Sequence, residues 1–290
     1  MKDKDLEQSI KAKIRQIAEQ QGKLFNEVWQ MLALERFLVR LACSPHKDKF
    51  IFKGGLLLSQ YLTLGRETTD LDFLARNLEN KAEEIQRVFE EIGAIDQNDG
   101  FVFSDVKVEV LSHEHMNYPG MRISMKGNLS RIRAQIQVDI GFGDTVTPGK
   151  KAIKLLSTKK GPVFEEEIPV HVYPPETVLA EKIETSIYRG GANSRMKDFH
   201  DIWVICTTAK LLNPKLAESS IRATFKTRKT ELKLPIHFGK EDMAGLQKLW
   251  DAHLRNIGEN AEKLKLPLKL QEIIDTVNSW LKDNTSLMEK

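Results

Sequence analysis

The sequence predicts an α+β protein, a mixed sheet flanked by helices and followed by a helical C-terminal region. Three observations predict it. Ile132, Ala134, Ile136, Val138 and Ile140 alternate with Arg133, Gln135, Gln137 and Asp139, the period-two pattern of a strand with one apolar and one polar face. From Leu6 to Leu41 the apolar residues instead recur at three- and four-residue steps, through Ile10, Ile14 and Ile17 and then Val28, Met31, Leu32, Leu34 and Leu38, which is helix periodicity. At Pro174-Pro175 strand-like stretches give way to helical ones.

In chain order, Gly22 separates two N-terminal helices, and Ser44-Pro45 ends the second, because the residue before a proline is pushed out of the α region. Phe50-Ile51-Phe52 then reads as a strand leading through Lys53-Gly54-Gly55 into a helix at Leu56-Leu57-Leu58. Asp70–Leu74 is a second strand, and Lys81–Ile92 a helix closed by Gly93. Strands follow at Phe101–Val110, Met121–Met125, Ile132–Ile140 and Ile168–Tyr173. Beyond them come helices at Glu176–Tyr188, Lys197–Thr207, Asn213–Phe225, Lys240–Asn256 and Leu268–Leu281. The expected division is an α/β domain with its N-terminal helices over 1–173 and a helical domain over 174–290.

With 290 residues, 41% apolar and 29% charged, the chain can bury a full core without staples. Cys43 and Cys206 lie within apolar helical patterns and lack metal-ligand spacing, which excludes a disulfide framework or a zinc site and fits a reducing cytoplasm. No apolar run approaches the roughly 18 to 20 residues of a membrane span, so no membrane role is expected. A net charge of +3 excludes a uniformly basic nucleic-acid coat but permits a local patch.

The chemistry is concentrated in Lys53-Gly54-Gly55 and, fourteen residues on, Asp70-Leu71-Asp72. Carboxylates at i and i+2 of a strand project from the same side and can clamp a hard cation. Mg²⁺ takes oxygen ligands and commonly only one or two carboxylates, phosphate oxygens completing its shell. A Gly-Gly turn lets backbone N–H groups approach a triphosphate without an intervening Cβ, at a helix N-terminus that favours negative charge. Displacement at phosphorus with two metals usually needs a further carboxylate. Asp139, on the polar side of its strand, is the best placed, and Asp144 beyond Gly141-Phe142-Gly143 is the alternative.

The order of strand, Gly-Gly, helix, Asp-x-Asp and a later strand aspartate resembles the polymerase-β-like nucleotidyltransferases. In more detail, the runs Leu34–Leu41, Phe52–Leu58 and Arg66-Glu67-Thr68-Thr69-Asp70-Leu71-Asp72-Phe73 resemble the AbiEii-type toxins of type IV toxin–antitoxin and abortive-infection systems. So do Tyr173–Lys182 and Asn193–Asp201. These runs span residues 34 to 205, and nothing after Asn213 joins them. The resemblance implies transfer of a nucleoside monophosphate from an NTP to an acceptor (tRNA, another RNA or a protein), restrained by a cognate antitoxin such as a winged-helix protein. It implies a metal site of Asp70, Asp72 and Asp139 for two Mg²⁺ ions, with Mn²⁺ as a possible substitute. It also implies functional roles for Lys182 and for Asp198 or Asp201, contributed by the helical domain to the active-site cleft.

Lys182 offers a compact charge and three donors to a triphosphate. Asp198 and Asp201, three apart on one helical face, either orient Lys182 or act as a base toward the acceptor. The expected nucleotide contacts are Lys53, Gly54, Gly55, Arg66, Thr69, Lys182, Arg195 and Lys197. Arg66 either binds phosphate or pairs at the surface with Glu67 or Asp70. The chain departs from the superfamily in having Leu56 where Ser or Thr often follows the glycines; Ser59 stands about one turn on. Arg222, Lys226, Arg228, Lys229 and Lys233, interleaved with Phe225, are either an RNA-backbone patch or a solvated helix end. Two other functions share these motifs: a small-molecule (aminoglycoside-type) nucleotidyltransferase, and a catalytically silent NTP-binding module.

Overall fold

In the computed structural model, which describes residues 2–111, 120–144 and 146–288 (side chains of 2–4 excepted), the chain forms two compact units. The first comprises Met1–Gln60, Thr68–Gly143 and Pro148–Val172; the second comprises Tyr173–Lys290 with the short segments Tyr61–Glu67 and Asp144–Thr147. Both segments belong to the helical unit although they precede it in sequence.

The first unit opens with α1 (Lys2–Gln21) and α2 (Phe25–Cys43). Ahead of α2, the Leu24 N–H donates to Glu27 Oε2 at 2.8 Å. Its last turn closes at Ser44, extended at φ −80° and ψ 160° as the following proline requires. Strands β1 (Phe50–Lys53), β2 (Leu71–Ala75), β3 (Phe101–Leu111), β4 (Gly120–Leu129), β5 (Ile132–Gly141), β6 (Gly149–Lys154) and β9 (Glu167–Val172) form one sheet in the order β3-β4-β5-β2-β1-β9-β6. A separate two-stranded pair, β7 (Ser157–Thr158) with β8 (Gly161–Pro162), lies between β6 and β9 in sequence. The pairs β2·β5 and β1·β9 are parallel and the other pairs of the main sheet antiparallel.

Register sorts the side chains into two faces, because directly opposed residues share a face and neighbours along a strand do not. One row runs Val172, Phe52, Phe73, Ile140 and Met121, all buried. The face it belongs to packs under α2 and α4 (Ala82–Gly93): Phe50 meets Phe89 of α4 with ring centroids 5.7 Å apart, and Phe89 stacks on Phe37 of α2 at 5.4 Å. The next row, on the opposite face, is Lys53, Asp72, Asp139, Arg122 and Glu109, charged across five strands.

A buried ion cluster pins α2. Arg36 Nε donates to Asp99 Oδ2 at 2.6 Å, and Arg40 donates to both Asp99 oxygens at 2.8 Å and to the Phe101 carbonyl at 2.9 Å. Glu165 completes the set on Arg36, and all but Glu165 are about 1% exposed.

The second unit consists of α5 (Pro175–Arg189), α6 (Met196–Thr207), α7 (Pro214–Arg228), α8 (Lys240–Ile257), the short α9 (Glu259–Lys263) and α10 (Leu270–Asn284). Proline occupies the first position of α5 and of α7, where its missing N–H costs nothing, and Asn213 caps α7 by accepting from the Leu216 N–H at 3.2 Å. Trp250, Ile273, Leu281 and Phe199 are fully buried among these helices. The strands and α-helices absent from the sequence expectation are β6, β7, β8 and α9. Strand β6 reads Gly-Lys-Lys-Ala-Ile-Lys, a lysine-bearing edge strand with only Ile153 buried, and so carries little apolar alternation.

Candidate active site

In the first unit, α3 (Gly54–Leu58) starts where β1 ends, and Lys53, the last residue of β1, stands opposite Asp72. Parallel pairing of β2 with β5 sets Asp72 opposite Asp139, and Asp70, two residues before Asp72, emerges on the same side. The three half-buried acids each bring a carboxylate oxygen within 4.8 Å of the other two. A hard, oxygen-preferring divalent cation suits that donor set, and phosphate oxygens or water would complete its shell.

Gly54 serves this arrangement differently from the sequence expectation. Its φ is +76°, and a Cβ built there would sit 1.8 Å from Asp72 Oδ2. The missing side chain makes room for a carboxylate of the protein itself, so Gly54 and Asp72 are in direct contact and no gap separates them. Gly55 follows as the second residue of α3, a helix of only five residues. Ser59 lies at the far end of that helix and its hydroxyl donates to the Leu56 carbonyl at 2.7 Å, so it does not replace the hydroxyl missing at Leu56.

Asp139 has a partner that sequence reasoning missed. Arg122, directly opposite on β4, donates through Nε to Oδ1 at 2.9 Å and through an Nη to Oδ2 at 2.8 Å. The alternation of Met121, Ile123 and Met125 with Arg122, Ser124 and Lys126 puts Arg122 on the polar face; only the pairing register puts it against Asp139.

In the second unit, α5 and α6 build a buried chain of charges. Lys182 of α5 reaches Asp198 Oδ1 and Asp201 Oδ2 of α6, each at 2.7 Å. Arg195, at the start of α6, holds the other Asp198 oxygen at 2.6 Å, and Arg66 grips Asp201 with two donors at 2.8 and 2.6 Å. Burial alone would push both carboxyls up. The Lys182 ammonium, with Arg195 on Asp198 and Arg66 on Asp201, more than offsets it, holding Asp198 well below the usual carboxylate range and lowering Asp201. Likewise burial opposes the charge on Lys182, and the two aspartates outweigh it and raise its pKa. Carboxylates so firmly ionised are weak proton acceptors and good anchors. Lys182 keeps one of its three N–H donors beyond those two pairs.

The model of the family described as "Nucleotidyl transferase AbiEii toxin, Type IV TA system" matches residues 36–277. The chain belongs to the AbiEii family. It is therefore a nucleotidyltransferase of the toxin class in type IV toxin–antitoxin systems. Two solved structures from Helicobacter pylori are similar to it, both at 16% identity over 87% of this chain. One is described as a candidate nucleotidyltransferase (TM-score 0.45, 94% of its own chain covered) and the other is JHP933 (TM-score 0.44, 91% covered). No curated protein matches.

The AbiEii chain thus gathers its sequence-expected residues into two groups: Asp70, Asp72 and Asp139 with Lys53 and Gly54 in the first unit, and Lys182, Asp198, Asp201, Arg66 and Arg195 in the second. Arg66 pairs with Asp201, a partner 135 residues away that the surface alternatives did not include. Thr69 and Lys197 are exposed, the first beside Asp70 in sequence and the second in the first turn of α6. Asp144, the alternative third acid, pairs with Arg228 at 3.4 Å. Arg228 is itself buried between Asp144, Glu181 and Glu184, Arg222 pairs with Glu218, and Lys233 with Glu231. Arg228 is neutralised within its own unit, and this removes the RNA-patch alternative for that residue. Among the described residues no helix is long and apolar enough to cross a membrane.

Proposed function

We propose that this AbiEii toxin transfers a nucleoside monophosphate from an NTP to an acceptor hydroxyl on RNA, tRNA foremost, with divalent cations held by Asp70, Asp72 and Asp139. The observation that carries the reading is the mutual approach of three carboxylate oxygens within 4.8 Å. When bound, such a cation neutralises phosphate charge and lowers the pKa of an attacking hydroxyl.

The residues of the chain supply the rest. Asp72, seated against Gly54, and Asp139, held by Arg122, would hold the cation together with phosphate oxygens. Lys53 stands beside Asp72 in the same row and places a positive charge at the phosphate side. From Asp139 the same sheet face continues through Gln137, Gln135 and Arg133 on β5 and Ser124, Lys126 and Asn128 on β4. Those donors and charges support a nucleic-acid acceptor, whose phosphates and sugar hydroxyls they can bind. Lys182, anchored by Asp198 and Asp201, is proposed to serve the same reaction by binding triphosphate, with Arg195 and Lys197 as further contacts. Restraint by a cognate antitoxin follows from the family.

The test is incubation of wild type, Asp70→Asn and Asp72→Asn with each of the four α-labelled NTPs, Mg²⁺ and total RNA. The expected outcome is label in an RNA band with wild type and none with either variant, at unchanged circular dichroism. Label confined to small molecules would refute the RNA acceptor, and undiminished label with both variants would refute the metal site.

A further inference from the structure

The three acids are not equivalent. Asp139 has both oxygens held by one guanidinium, and that guanidinium lies in the row that runs Lys53, Asp72, Asp139, Arg122, Glu109. A planar fork that meets a carboxylate with two parallel N–H bonds fixes its rotation as well as its distance. It leaves each Asp139 oxygen only the lone pairs turned away from Arg122. The permanent charge of Arg122 also offsets one of the three negative charges of the cluster. Arg122 stands opposite Glu109 as well, and its charge also acts on Asp70, so its field reaches beyond its own partner. Its side chain is 38% exposed, so replacing it opens no hole in the core.

Building on the metal-site reading above, we propose that Arg122 is a positioning residue acting through Asp139. It aims that carboxylate and keeps the site's affinity for free cation low, so that cation and NTP are taken up together. Without nucleotide, the Arg122 charge set against Asp139 damps the attraction for a free cation. The NTP restores the missing negative charge through its phosphates, and cation affinity rises.

The test is direct titration of the full chain with Mn²⁺, read by electron paramagnetic resonance of the free ion, with and without a non-hydrolysable NTP analogue. An opposite charge at this range shifts a protonation equilibrium by about one to three units, and a divalent ion feels the same potential with twice the charge. Arg122→Met is therefore expected to tighten nucleotide-free Mn²⁺ binding about tenfold or more, to shrink the gain on adding the analogue, and to slow label transfer about 100-fold through loss of aim. Arg122→Lys keeps charge without the fork, and is expected to bind Mn²⁺ like wild type yet transfer slowly. Unchanged or weaker Mn²⁺ binding by Arg122→Met, or full transfer by Arg122→Lys, overturns the proposal. Asp72→Asn separates the two levels: if it binds Mn²⁺ like wild type, the metal site itself is refuted, whatever Arg122 does.

Discussion

Replacing Gly54 with alanine separates two demands that the structure places on one residue. The first is backbone: a φ of +76° costs an L-residue about 1–2 kcal/mol. The second is space: the new Cβ would lie 1.8 Å from Asp72 Oδ2, while real Cβ contacts stay beyond 3.0 Å, so the carboxylate must retreat by more than 1 Å. Displacement of a catalytic group by 1 Å costs roughly 100-fold in rate. Gly22→Ala is the matched control, since its φ is +63° with nothing within 4 Å of the added Cβ. Gly22→Ala should lose about 1–2 kcal/mol in urea unfolding monitored by circular dichroism, and Gly54→Ala at least as much. Only Gly54→Ala should lose label transfer, by about 100-fold. If Gly54→Ala transfers within a few-fold of Gly22→Ala, the seat of Asp72 against Gly54 does not govern the chemistry.

Three further outcomes follow from buried charges. Asp99→Ala strands the Arg36 and Arg40 guanidiniums, each about 1% exposed, and should cost about 3–5 kcal/mol in denaturant unfolding; a loss below about 1 kcal/mol would show that the cluster does not hold α2. Lys182→Met leaves Asp198 and Asp201 to Arg195 and Arg66 alone and should lower stability by about 3 kcal/mol, so an unchanged melting curve would contradict the anchoring. His200 is fully buried against His253 (Nδ1 to Nε2, 3.0 Å), and burial first, then the His253 and Arg66 charges against the opposing Asp201, depress its pKa to about 4. The unfolded chain therefore binds the proton first as pH falls. Stability present above about 6.5 is lost progressively toward pH 4, by about 3 kcal/mol in all. His253 is depressed in the same direction and adds to the loss. Unfolding curves at pH 7.5, 6 and 5 should flatten in His200→Gln; equal pH slopes in the two proteins would assign the effect elsewhere.

How much of this was legible in the sequence depends on whether the cause is local. Alternation in Ile132–Ile140 placed Asp139 on a polar face, and the i, i+2 spacing placed Asp70 with Asp72, because both follow from backbone period alone. The family run Arg66–Phe73 marked Asp70 and Asp72 as well, while Asp139 rested on the alternation and on the superfamily order. What stayed hidden rests on register and tertiary pairing: Arg122 against Asp139, Arg66 against Asp201, and the true neighbour of Gly54. Arg36 and Arg40, embedded in an apolar helix, gave no sign of the buried Asp99 that neutralises them. The basic run ending at Lys233 left a patch and a solvated helix end both open, because Glu184, Glu181 and Asp144, which absorb Arg228, are dispersed along the chain.

The most direct measurement of the central claim is a crystal structure of the protein grown with Mn²⁺ and a non-hydrolysable NTP analogue, with anomalous scattering recorded at the manganese edge. An anomalous peak is expected at bonding distance, about 2.0–2.3 Å, from carboxylate oxygens of Asp70 and Asp72, with the analogue's phosphates sharing the ion. Manganese and nucleotide bound together away from Asp70, Asp72 and Asp139 would contradict it.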